Sequence, residues 1–184
     1  MMRKAAIILF ALPLFFLSCA HVGKRPASIT WPGSFDYMEA LCEIDVMLKN
    51  SQYTGDMSLK VAYPHMLFLE VYSPFGTTML SVDRSEDHFI MRTDNELLTD
   101  ENEFYRLFNI QINDIIEDIT LKGPIRTDSA IPYKQRPGYT VYYYLNDAGN
   151  RICWKVEQGD FCIRFVDVSF SREKPDGKSN SGTN

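Results

Sequence analysis

The sequence predicts an α+β domain made of an antiparallel meander sheet and a short pair of helices. Three observations carry that expectation. Apolar and polar residues alternate along consecutive runs, the period-two pattern of strands with one dry face. Between residues 100 and 122 the apolar spacing becomes helical. The 184 residues are 45% apolar and 23% charged, which supports one core and leaves little room for two domains.

In chain order, Ser34 is placed to cap a short helix over residues 35–41, with Phe35, Met38 and Leu41 on one face. Residues 43–49 then alternate, with Ile44, Val46 and Leu48 on one side. Residues 53–61 do so more cleanly, with Tyr53, Gly55, Met57, Leu59 and Val61 against polar neighbours. Pro64 breaks the chain. Residues 65–73 are apolar on both parities, with Leu67, Leu69 and Val71 opposing Met66, Phe68 and Tyr72. Ser73-Pro74-Phe75-Gly76 is a turn signal, and residues 77–83 and 88–93 form the next hairpin. Consecutive strands of this kind make a meander.

Asp100 with Glu103 is a capping arrangement, after which Phe104, Leu107 and Phe108 recur at helical spacing. A second helix is expected to open at Asn113 or Asp114, carry Ile112, Ile115, Ile116 and Ile119 as its dry stripe, and stop at Gly123-Pro124. Asp114, Glu117 and Asp118 then fall on its solvated face. A polar connection over residues 124–138 leads to a final meander over 139–145, 151–157 and 160–170. Pairing across Gln158-Gly159 puts Ile152, Trp154, Val156, Phe161, Ile163 and Phe165 on one face, with Cys153 and Cys162 on the other.

The ends read differently. Arg3 and Lys4 precede the uncharged apolar run 5–17, too short to span a bilayer as a helix. Leu17-Ser18-Cys19-Ala20 resembles the lipobox of bacterial lipoprotein signal peptides. The resemblance implies removal of residues 1–18 and lipidation of Cys19 as the mature first residue, with the outer membrane the expected address. Residues 19–33 read as a tether, 34–172 as the domain and 173–184 as a disordered tail. Loss of residues 1–18, which hold two basic and no acidic residues, would move the formal charge from −5 to −7. That balance argues against nucleic acid and against electrostatic docking on anionic lipid.

Cys42, Cys153 and Cys162 remain, and an oxidising envelope allows one disulfide with one thiol left over. Cys153 and Cys162 fall on adjacent strands, which allows a bond between them. The spacing fits neither a zinc nor a redox site. His21, His65 and His88 have no acidic triplet at metal-ligand spacing, and no phosphate loop, nucleophile elbow or dinucleotide fingerprint occurs. No cofactor, metal or catalytic constellation is expected, and the chain reads as a non-enzyme.

The run His65-Met66-Leu67-Phe68-Leu69-Glu70-Val71-Tyr72-Ser73-Pro74-Phe75-Gly76, the strand after it, a short helix, and Ile110-Gln111-Ile112-Asn113 leading to a helix that ends at Gly123 occur in a recognisable order. That order resembles the outer-membrane lipoprotein receptor LolB and the LolA/LolB-like superfamily, over roughly residues 35–123 and more loosely in the last strands. The resemblance implies an incomplete antiparallel β-barrel, its curved meander sheet covered by short helices. It also implies an apolar cavity that takes acyl chains of lipoproteins or lipids arriving from a periplasmic LolA-like carrier and passes them to the membrane. The loop Pro74, Phe75, Gly76 matches the family's protruding apolar residue, with phenylalanine for the usual leucine. The residues that alternation turns inward are the candidate acyl-chain lining: Met57, Leu59, Val61, Leu67, Leu69, Val71, Leu80, Val82, Ile90, Trp154 and Phe161 from strands, and Phe104, Leu107, Ile115 and Ile119 from helices. The C-terminal meander is shorter than the family's, which leaves room for missing closing strands. The cysteine pair is not a family feature. The chain is expected to act as a monomer held to the membrane by its N-terminal lipid. The other reading is a lipid-anchored envelope interaction or structural module of the same fold with no transported ligand.

Overall fold

The computed structural model describes residues 29–48, 51–146 and 149–172. The expected signal peptide, Cys19, most of the tether and the tail lie outside the described residues.

The chain forms β1 (Tyr37–Leu48), β2 (Ser51–Ala62), β3 (Met66–Tyr72), β4 (Thr78–Arg84), β5 (Phe89–Thr93) and β6 (Leu97–Leu98). Helices α1 (Glu101–Phe108) and α2 (Ile112–Ile119) follow, then β7 (Tyr133–Arg136), β8 (Tyr139–Tyr144), β9 (Arg151–Val156) and β10 (Gly159–Ser171). All ten strands join one sheet in the order β6-β5-β4-β3-β2-β1-β10-β9-β8-β7, every neighbour antiparallel. Two meanders therefore meet along a seam between the first and last strands. The edges β6 and β7 do not pair, so the curved sheet stays open. This is the α+β meander that the alternation and the change of period point to, and its open curved sheet is compatible with the incomplete barrel that the resemblance implies.

Register turns one parity of each strand toward the helices. Met38, Ala40 and Cys42 oppose Val61, Leu59 and Met57, which continue to Leu67, Leu69 and Val71, then to Val82 and Leu80. From the other side Ile163 opposes Ile152, and Phe161 opposes Trp154, which opposes Val141. A bulge in β10 inserts Val166 between the partners of Leu41 and Cys42. It resets the alternation so that Val168 and Phe170 pack against the same core as Phe165. The helices bury Phe104, Ile112, Ile115, Ile116 and Ile119 against this face.

The helix expected over residues 35–41 is instead the start of β1. Tyr37 to Leu41 pair on both sides, with β2 and with β10, and two ladders outweigh a three-residue apolar spacing that one helical turn could satisfy only locally. Phe35 stays buried, within an aromatic cluster with Trp31, Phe165 and Phe170. Asp100 caps α1 as its sequence predicts, its carboxylate accepting from the Asn102 amide at 2.8 Å. Helix α2 starts earlier than expected: Gln111 is its N-cap and makes no side-chain capping bond. The connection 124–138 contains β7, which its polar composition concealed.

Candidate functional site

The loop between β3 and β4 is built around one side chain. Ser73 closes it from both ends: its amide donates to the Thr77 carbonyl at 2.8 Å, and its carbonyl accepts from the Gly76 amide at 2.9 Å. Ser73 Oγ accepts from the amides of Phe75 and Thr77 at 3.2 and 3.3 Å and lies 2.7 Å from Thr77 Oγ1. Gly76 takes φ +78°, a conformation side chains disfavour. This tight turn holds Phe75 outward at 92% exposure, the largest value among the exposed large apolar residues.

Of the expected acyl-chain lining, Met57, Leu59, Val61, Leu67, Val71, Val82, Phe104, Ile115, Ile119 and Trp154 are buried in the core. Leu69, Leu80 and Phe161 are partly buried against it. Two positions differ. Leu107 is 56% exposed: it stands one turn from Phe104, at the edge of the inward face of a helix that buries Phe104 alone. Ile90 pairs with Asp83 on the outward parity, because it is its neighbours Phe89 and Met91 that face the core. Side chains occupy the space between sheet and helices; Trp154 and Phe161 stack there with centroids 4.6 Å apart.

The two helices are held unequally. Helix α1 buries Phe104 alone, against Phe89 and Phe108, with centroids at 5.8 and 4.7 Å. A second tie runs from buried Arg84, whose Nε donates to Glu101 Oε1 at 3.1 Å. Helix α2 buries four isoleucines and Asp118.

Asp118 is the main departure from the expected solvated acidic face: it is fully buried. Its Oδ1 accepts from Lys134 Nζ at 2.9 Å and Arg136 Nη2 at 2.8 Å, and its Oδ2 from Trp154 Nε1 at 3.1 Å. Lys134 Nζ also donates to the Lys122 carbonyl at 2.6 Å, and Arg136 reaches Asp114 and Glu117 at 2.9 and 2.8 Å. Tyr139 Oη donates to Asp114 Oδ2 at 3.1 Å. Burial, and then the charge of Asp118, holds the Tyr139 and Tyr143 phenols far above their ordinary range. These groups clamp α2 onto β7 and β8. The signal was present in the sequence, since Asp114 and Asp118 share a helix face and Lys134 and Arg136 share one side of a strand. Nothing in the sequence alone pairs the two elements.

Cys153 and Cys162 face each other across β9 and β10 and are joined by a disulfide on the outward face. Cys42 is a free, buried thiol, and burial pushes its pKa well up. No family model matches the chain, and no curated protein matches it.

Proposed function

We propose that this is an outer-membrane lipoprotein of LolB type, which accepts acyl chains of lipoproteins or lipids and inserts them into the bilayer. The observation that carries the reading is Phe75, an aromatic side chain almost wholly in water on a turn built to keep it there. Exposing a large apolar side chain forfeits about 2–3 kcal/mol of burial, so a partner that takes it up is favoured. A bilayer is the partner consistent with a lipobox-like N-terminus.

The asymmetry of the helices suits such a role. Releasing α1 uncovers little more than Phe104, on the order of 2–3 kcal/mol, whereas releasing α2 would expose four isoleucines, roughly 6–12 kcal/mol, and a buried charge network. Acyl chains would enter beneath α1, with α2 fixed. A cargo with about forty buried methylenes would lose on the order of 30 kcal/mol in crossing water, so transfer would run by contact from carrier to cavity to bilayer. Holding the protein at the membrane falls to lipidated Cys19.

One observation favours the second reading, an envelope interaction module without a transported ligand: the apolar interior is filled by its own side chains. Mass spectrometry of lipids co-purifying with the mature chain separates the two. Bound acyl species support the carrier, and their absence, with normal lipoprotein sorting in cells lacking the protein, supports the module. Phe75→Glu should leave folding and anchoring intact and impair insertion of cargo; insertion at the parent rate would remove the loop from the mechanism.

A further inference from the structure

The outward face of the sheet carries a charge pattern that ends at the Phe75 loop. Read through the register, one cross-strand row runs Arg151, Arg164, Glu43, Asp56, Tyr72, and Ser73 follows Tyr72 directly. Two cations are thus succeeded by two carboxylates over three strand spacings, roughly 14 Å. In the middle of the row Arg164 and Glu43 pair with each other. Arg151 makes no ion pair among the described residues and lies over the Tyr144 ring, with its guanidinium carbon 4.7 Å from the centroid. Asp56 makes no ion pair among the described residues, and Asp45 accepts only a 3.5 Å hydrogen bond from Gln52.

Arg151, Arg164, Glu43, Asp45 and Asp56 line a cleft of about 510 Å³, walled on one side by Ser73 and Pro74 of the Phe75 turn. Arg151, Asp45 and Cys162 also line a second hollow of about 230 Å³. The cleft therefore offers a guanidinium and two carboxylates to one ligand, next to the turn that holds Phe75 outward. A ligand with phosphate alone would meet the carboxylates, and one with ammonium alone would meet Arg151. A headgroup bearing both charges satisfies both ends, and an overall charge of −5 disfavours purely anionic lipid.

We propose that this cleft binds the headgroup of a phosphatidylethanolamine-type lipid, its phosphate on Arg151 and its primary ammonium on the carboxylates of Asp45 and Asp56. The inference rests on the reading that the Phe75 loop meets a bilayer, and adds which lipid it meets. A primary ammonium donates hydrogen bonds that choline cannot, so the site discriminates between the two zwitterions.

The test uses the mature chain from residue 19 with Cys19→Ala, so that neither the apolar leader nor a covalent anchor sets the affinity, in flotation with vesicles of phosphatidylcholine alone or mixed with phosphatidylethanolamine. The parent protein should bind the mixed vesicles about two- to fivefold more tightly. Arg151→Gln with Asp45→Asn, which leaves the formal net charge unchanged, should abolish that preference while binding to phosphatidylcholine stays the same. Phe75→Glu should weaken binding to both compositions. Equal binding of the parent to both, with Phe75 still required, overturns the headgroup site and leaves the loop's role standing. A preference that survives the double substitution also overturns it. No binding to any vesicle overturns both.

Discussion

Replacing Asp118 by asparagine tests the clamp that fixes α2. The carboxylate is fully buried and receives Lys134, Arg136 and Trp154. The Lys134 side chain is itself only 5% exposed, so neutralising Asp118 leaves a buried ammonium without its carboxylate, facing only neutral acceptors, the asparagine oxygen and the Lys122 carbonyl. Removing one partner of a buried pair costs about 3–5 kcal/mol. For a domain of this size that is a fall in Tm of roughly 10–20 °C. An apolar pair of similar volume avoids the stranded charge, so Asp118→Leu with Lys134→Met should lose less than Asp118→Asn alone. Lys60→Gln, which breaks the exposed pair with Glu39, is the control and should cost at most about 1 kcal/mol. Urea titrations at neutral pH on all variants give the comparison. Losses below about 1 kcal/mol for Asp118→Asn, or effects of Asp118 and Lys134 that simply add, would refute the clamp.

Other perturbations probe separate parts of the fold. Cys153→Ser with Cys162→Ser should lower stability by about 2–3 kcal/mol by the loop-closure relation, read as a shift in urea midpoint. Burial and a hydrogen bond to Glu39 raise the Tyr37 pKa to about 12, and Tyr139 and Tyr143 are raised further in the same direction. The folded state thus holds protons that the unfolded chain releases near pH 10. Their contribution is complete below pH 10; that of Tyr37 is lost as pH rises through about 12, and those of Tyr139 and Tyr143 are lost only at higher pH. Absorbance at alkaline pH should accordingly show these phenols ionising only together with unfolding. Phe104→Ala should cost about 3–5 kcal/mol, whereas Leu107→Ser, on the exposed side of α1, should stay within about 0.5 kcal/mol; thermal melts distinguish them.

The strands were legible wherever one side of the chain faced water, as in β2, whose alternation matches its buried residues one for one from Met57 to Val61. Legibility failed where pairing across the sheet decided the outcome. Residues 37–41 carry a spacing that a helix could use, and only the two neighbouring ladders make them a strand. The polar stretch around Lys134 and Arg136 gives no apolar signal because its inward side chains are charged and meet Asp118. The Phe75 turn was readable from Ser73, Pro74 and Gly76, since those residues determine it locally. The outward charge row was not, because it is assembled from five strands.

The seam between β1 and β10 also constrains how the molecule comes into being. Tyr37 lies opposite Ser171 in the middle of the sheet, so the earliest strand to leave the ribosome or the translocon must wait for the latest. Until then β1 has a bare flank, and the N-terminal meander is half a wall. Assembly is therefore a late event that spans nearly the whole polypeptide, slow by the measure of contact separation and open meanwhile to pairing with the wrong chain. The final strand acts as a zip, and shortening it at Phe170 or Ser171 should impair maturation more than its distance from the Phe75 loop would imply.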